Sequence, residues 1–393
     1  MNNTVNKNSI DLLDTFIFLY LSTLFLLYDN YRPIVEIIAI CGILLTLPSH
    51  EIRINRYAAW GILFAGFCFC STIWSGKMDL SLVATRGVVE CVICGVVIQI
   101  YLETEKEYNK IIQYCTVLCY FMTLKILITV PINQILNRQF SGLLNANSIG
   151  VRFSVCFVLS LWYIKKEHKH VANIMRLLPM LFFAIMTGSK KAIVIILIGV
   201  IILQILYAKN ALSSTLYVIG GAILVYLSIY LMMNNDFLYS VIGYRIDGVL
   251  KGLQYGFNYA DASTRERMML IRYATETWVE KPILGHGINT FASTVGYTGY
   301  GDHALYTHVN YLELLYGVGI LGTLIFYSIH FANVIVLKGQ PNRDLRIIVI
   351  CCSVIILFID SAMVSYGDEF VHFLLALTCS ASFCKDISGD DMQ

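Results

Sequence analysis

The chain has 393 residues, of which 57% are hydrophobic and only 14% charged, with a net charge of +2. Its mean hydropathy is +0.68. A soluble domain carries about 25% charged residues, so composition excludes a water-soluble globular protein, and the near-neutral balance calls for no nucleic-acid partner.

A hydrocarbon core of roughly 30 Å needs about 20 apolar residues per helix. In chain order the apolar runs fall near 12–28, 33–48, 57–74, 80–102, 110–131, 147–164, 174–187, 190–208, 213–233, 308–337, 345–365 and 367–385. The expected fold is an all-α polytopic membrane protein, one integral domain over 1–393 with about 12 transmembrane helices. One large external loop, 234–307, separates helices 9 and 10. The first run follows a polar segment holding one Lys and lacks a small-residue cleavage site, so no cleavable signal peptide is expected. All 12 Cys lie inside apolar runs, as small buried apolar residues do, and the loop has none for a disulfide framework. Cys91 and Cys94 lack partners for a zinc site, so no metal is expected.

Lys and Arg in short loops set orientation. With the N-terminus inside, fourteen fall on inner segments: Lys7, Arg53, Arg56, Lys106, Lys110, Lys165, Lys166, Lys169, Arg176, Lys209, Lys338, Arg343, Arg346 and Lys385. Five fall on short outer ones: Arg32, Lys77, Arg138, Lys190 and Lys191. Both termini are therefore expected in the cytoplasm, with the large loop outside.

Arg86, Lys125 and Arg152 interrupt the spans near their outer ends. A cation in hydrocarbon marks a polar cavity by default; the alternative is snorkelling to headgroups. Three in the same half favour a shared electropositive cavity. Lys190 and Lys191 follow Gly188-Ser189 at an outward helix N-terminus. Free N–H groups and the helix dipole already favour an anion there, and two ammonium groups add to it.

Within the loop, Ser263 and Glu266 have capping-box spacing, which predicts a short amphipathic helix over 264–281 stopped by Pro282. Leu270, Ile271, Ala274 and Trp278 make its apolar stripe, and Arg272, Glu276 and Glu280 its charged face. Arg267 shares the stripe's side and would point inward over an outer cavity, or else cap a carboxylate at the surface. Arg265 falls nearer the polar face. His308 opens the tenth run and is the best general-base candidate, because neutral imidazole accepts a proton at physiological pH. His286 and His303 sit in loop sequence and are weaker. Gly285-His286-Gly287 is too short for a phosphate loop, and no nucleotide fingerprint occurs.

The order of these features resembles the bacterial O-antigen ligase and polymerase superfamily over roughly residues 140–330. Arg267 and the run to Pro282-Ile283-Leu284-Gly285-His286-Gly287 look like that family's Arg, helix, Pro-x-x-Gly-x-Gly pattern. His308 to Leu312, followed by Gly319-Ile320-Leu321-Gly322, resembles its His-Asn-x-Tyr-Leu…Gly-Ile-x-Gly. Thr187-Gly188-Ser189-Lys190-Lys191-Ala192 is similar to Gly-Ser-Arg-x-Ala, and Leu144-Asn145-Ala146-Asn147 to Asn-Pro-Asn. Three departures stand out. Val309 intervenes before Asn310, Lys190 replaces an Arg that would bind phosphate bidentately, and Ser263-Thr264-Arg265 mimics the usual Ser-Gly-Arg lead-in. The last leaves Arg265 and Arg267 both open as the loop arginine.

The resemblance implies a glycosyltransferase without metal or other cofactor, using glycans on polyprenyl diphosphate. Arg267 and Lys190, with Lys191, Arg265, Arg152 and Arg86, would bind the diphosphate; His308 would be the base; Asn147 and Asn310 would support. The leading expectation is an O-antigen polymerase of the Wzy type in the bacterial inner membrane, with a periplasmic loop. Its partners would be undecaprenyl-diphosphate-linked oligosaccharides, membrane lipids and a chain-length regulator. Alternatives are a ligase that transfers glycan to the lipid A core and, from another class, a flippase for lipid-linked sugars. The single late loop argues against the flippase, because transporters commonly repeat their broken helices in two halves.

Overall fold

The computed structural model describes residues 11–26, 31–46, 55–102, 104–140, 145–167, 171–295 and 305–381. All its regular elements are helices. They run α1 (Leu12–Phe25), α2 (Arg32–Thr46), α3 (Arg56–Ser71), α4 (Met78–Tyr101), α5 (Glu105–Thr129), α6 (Ile132–Leu136), α7 (Ala146–Lys166) and α8 (Leu178–Met186). Then follow α9 (Lys190–Leu206), α10 (Ala211–Asn234), α11 (Asp236–Leu238), α12 (Tyr244–Tyr255) and α13 (Ala262–Trp278). The chain closes with α14 (Phe291–Val295), α15 (Asn310–Leu337), α16 (Arg343–Asp360) and α17 (Glu369–Ala381).

Each of the twelve predicted apolar runs carries a helix, but among the described residues only α4, α5, α7, α10 and α15 are long and apolar enough to cross a membrane by themselves. The others are shorter or, like α16 with Arg343, Asp344 and Arg346, more charged. The segments holding Lys7, Arg53, Lys169, Lys385 and His303 lie outside the described residues, as does Leu144.

Asparagine starts several helices. Asn55, Asn145 and Asn210 each accept a bond from the backbone N–H three residues on, at 2.9, 2.9 and 2.8 Å. A short side-chain oxygen there satisfies one of the free N–H groups of the first turn. One apolar core runs through α1 to α9 and α15 to α17. α10 stands at its edge, with only Gly221 and Met232 buried.

The three cations of the apolar runs each have a partner of their own, which corrects the expected shared cavity. Arg152 Nε donates to the Leu24 carbonyl at 2.8 Å, and its guanidinium lies 5.0 Å from the Phe370 ring centre. Lys125 Nζ donates to the Leu26 carbonyl. Both complement the carboxyl end of α1, where free carbonyls and the helix dipole favour positive charge. Arg86 is 82% exposed in its side chain and pairs with Glu90 one turn on at 2.7 Å.

The loop is clamped to the bundle at a break in α15. Gly319 takes φ 65° and ψ −170° inside that helix. In an unbroken helix the Ile320 and Leu321 N–H groups would donate to Tyr316 and Gly317. Here they donate to the Pro282 and Ile283 carbonyls at 2.9 and 3.3 Å. The carbonyls of Tyr316 and Gly317 instead accept from His286 and Gly287, at 2.9 and 2.8 Å. Four bonds to the loop replace two within the helix, so the break leaves these groups paired. Such close backbone contact admits no Cβ at Gly285 or Gly319, where one would stand 2.5 Å from the Gly317 oxygen or 2.2 Å from the Ile283 oxygen. Two of the sequence motifs are thus halves of one joint.

Candidate functional site: a cation cluster at the loop mouth

The predicted loop helix forms as α13, shifted toward the N-terminus. Asp261, not Ser263, is its N-cap: the carboxylate accepts from the Thr264 N–H at 3.1 Å and the Thr264 hydroxyl at 2.6 Å. The helix ends at Trp278, and tighter i to i+3 bonds from Glu280 and Lys281 lead into Pro282. Leu270 and Ala274 are buried against Phe291 and Tyr316 of the joint, while Arg272 and Glu276 pair on the exposed side at 2.7 Å. On this helix Arg265 is exposed and Arg267 half-buried.

Arg267 faces a cluster of like charges. Burial pulls its guanidinium below the ordinary range; Tyr306 works against that shift, and Arg245 of α12 adds to it. Its Nε is buried and has no hydrogen-bond partner. Lys190, at the first turn of α9, reaches Asp261 at 3.2 Å and Thr264 at 3.4 Å, and so ties the α9 mouth to the start of α13. Lys191 donates to the Ala362 carbonyl at 3.2 Å. Arg245 donates to the Gly188 carbonyl at 3.1 Å. Arg138 holds the Thr187 carbonyl and the Asn147 side-chain oxygen, the latter at 3.3 Å, and burial together with Arg245 lowers its pKa.

The turn that carries Lys190 and Lys191 is built for close approach. Gly188 has φ +55°, and a Cβ there would lie 2.7 Å from the Val241 oxygen and 2.8 Å from Arg138 Cδ. The Ser189 hydroxyl at the N-cap of α9 is buried without a partner. Five cations therefore converge, while the only carboxylate in contact with any of them among the described residues is Asp261. Charges of one sign in a poorly solvated pocket repel strongly. An oxyanion entering it gains from each of them.

His308 precedes α15 rather than opening it, and its φ of 60° is a left-handed value that costs a non-glycine residue about 1 kcal/mol or more. That turn places its ring 4.2 Å from the Tyr306 ring. Burial, then the charges of Arg267 and Lys191, push the imidazole down to about 4. It is neutral at physiological pH, as a proton acceptor must be. Tyr306 also lines a cavity of about 320 Å3 with Asn289, Glu313 and Tyr366.

The structure thus brings Arg267, Lys190, Lys191 and His308 together, and leaves Arg86 and Arg152 elsewhere. Asn147 reaches the cluster through Arg138. Asn310 is fully buried and fastens the turn after α16, accepting from the Ser365 and Tyr366 N–H groups at 2.9 and 3.1 Å. His286 stacks on Tyr316 at 4.5 Å and bonds the Thr277 carbonyl, so it serves the joint. Sequence reasoning missed Arg138, Arg245 and Tyr306. Arg245 had one legible signal: Gly248 and Gly252 follow it at three and seven residues, a small-residue face that packs.

Fold and site describe a helical membrane protein with an anion-attracting mouth beside a neutral histidine. Residues 176–327 match the family model described as O-Antigen ligase, which supports a likeness of this part of the chain to the O-antigen ligase/polymerase superfamily, whose members are glycosyltransferase-like enzymes. No curated protein matches the chain. The matched span contains Lys190, Lys191, Arg245, Arg267 and His308, together with both halves of the joint. The flippase alternative gains no support from it.

Proposed function

We propose that the protein is an O-antigen-type polysaccharide polymerase. It would transfer a growing glycan from undecaprenyl diphosphate to a lipid-linked repeat unit on the outer face of the bacterial inner membrane. The observation that carries this reading is the buried, unpartnered Nε of Arg267 among converging cations, next to His308. An acceptor hydroxyl attacks the anomeric carbon, and the bond from that carbon to the diphosphate oxygen breaks. The proton passes to the free nitrogen of His308. Negative charge grows on the departing diphosphate, where fixed cations stabilise the transition state more than the ground state. Arg267 and Lys190 hold that diphosphate, with Lys191, Arg245 and Arg138 around it. Arg265 remains a candidate for the approaching lipid-linked chain, being exposed one turn from the N-cap.

The cavity beside Tyr306 offers the acceptor sugar two tyrosines and polar edges at Asn289 and Glu313. The family model supports equally a second reading, a ligase that moves finished glycan to the lipid A core. Deleting the gene separates them. Loss of a polymerase leaves single repeat units on the core, whereas loss of a ligase leaves the core bare. Complementation by an Arg267→Ala or His308→Ala variant that restores normal chain lengths would overturn both.

A further inference from the structure

Between the end of α10 and the start of α13 the chain does not leave the bundle as a free loop. A π-helical turn, Tyr239–Gly243, brings it straight back, and a Cβ on Gly243 would lie 2.1 Å from the Met232 carbonyl oxygen. Met232 stands two residues before the end of α10, about 3 Å along the axis. α10 is one of the helices able to cross a membrane, and its neighbouring Tyr230 and Leu231 are 52% and 55% exposed. The start of α12 therefore sits at the level where α10 leaves the hydrocarbon.

α12 is three-sided. Gly248 and Gly252 form its packed side, since Cβ atoms there would lie 2.7 Å from Asp261 Cβ and from Ala260 Cβ. Asp247 and Lys251 pair at 2.7 Å on a polar side. The third side carries Leu250 and Leu253, 41% and 81% exposed. Exposed aromatic rings stand at both ends of the helix, Phe237 and Tyr244 at its start and Tyr255 and Tyr259 at its end, and the last two meet edge to face at 5.8 Å. A short helix with an aliphatic and a polar side and aromatic rings at its ends, beside the end of a membrane-crossing helix, has the chemistry of an interfacial element.

We infer that Asp236–Tyr259 is a lipid-binding element lying in the membrane interface at the carboxyl end of α10. Leu250 and Leu253 dip among the acyl chains, and the flanking rings lie at headgroup level. The inference stands apart from the glycosyl-transfer reading, although Arg245, on the same helix, would be carried by it to the lipid-water boundary beside Gly188.

Tryptophan placed at Leu253 tests it. The full-length Leu253→Trp and Lys251→Trp proteins are reconstituted in phosphatidylcholine vesicles, and the emission of the four native tryptophans is subtracted. Lipids brominated near the headgroup end of the chain should remove most of the added emission at 253, and aqueous iodide little of it. Position 251 should show the reverse. Ready quenching of 253 by iodide would overturn the inference, and so would resistance to both quenchers, the mark of a second copy covering this side. Should Leu253→Trp fail to accumulate, Leu250→Trp on the same side of the helix gives the same two readings.

Discussion

Two sets of cations in this molecule look alike in sequence and differ in what they touch. Arg152 and Lys125 lie in apolar runs, yet each donates to a carbonyl at the end of α1. Arg267, Lys190, Lys191, Arg245 and Arg138 come from four separate parts of the chain and crowd one mouth, with Asp261 the one carboxylate in direct ionic contact among the described residues. A positive charge in or near a membrane is therefore no site by itself. Carbonyls meet cations in both sets; what separates chemistry from structure is the crowding of like charges around Arg267, whose Nε has no partner.

The largest effect that could break this contrast is at Arg267. Because its Nε has no partner to lose, Arg267→Ala should leave the protein level unchanged while lowering glycan transfer by about 10²-fold or more. Wild-type chain lengths, read from a ladder of the product on a gel, would dissolve the distinction between the two sets.

His308 comes next. Removing a general base costs about 10²-fold or more, so His308→Ala and His308→Gly should both lose long-chain product. Glycine tolerates the left-handed backbone, so the glycine variant should be the more stable of the two by about 1 kcal/mol. Activity restored by glycine would mean that the backbone turn, not the ring, is what the reaction needs.

A pH profile sharpens the comparison further. With its pKa lowered to about 4, His308 is unprotonated in the free enzyme down to that region. Activity should then fall only as pH drops through the lowered value, giving kcat/KM an acid limb near 4. A limb near 6.5, the ordinary value for histidine, would mean that neither burial nor the neighbouring cations act on the ring that serves as base.

The other set gives smaller and different signals. Arg152→Met deletes a charge-assisted bond to α1 and should destabilise the detergent-solubilised protein by about 1–3 kcal/mol, with activity per folded molecule retained. Arg86→Ala, which removes an exposed pair with Glu90, should change stability by no more than about 0.5 kcal/mol. Chain length should stay normal in both. A loss of product with Arg86→Ala would restore that residue to the site.

Helix positions were readable because a twenty-residue apolar run leaves the backbone few alternatives. Arg267 and Lys190 were readable as well, through helical spacing and a helix start. The break in α15 was not, since four bonds between Pro282–Gly287 and Tyr316–Leu321 join residues far apart in sequence; only their glycines hinted at close approach. Arg152 misled because its partner is a main-chain carbonyl, which no pattern of side chains records. Arg245 was hidden in a segment with too few apolar residues to read as a span and an interfacial helix too short to show a clear period.

The central claim is that the mouth cations form an anion site for a lipid diphosphate. It is tested most directly by binding of undecaprenyl diphosphate to the purified protein in lipid nanodiscs. Arg267→Ala should weaken binding by about tenfold or more, the loss expected for a charge-assisted phosphate contact worth 1.5 kcal/mol or above, while Arg86→Ala binds like the wild type. Equal affinity for all three proteins would contradict the account.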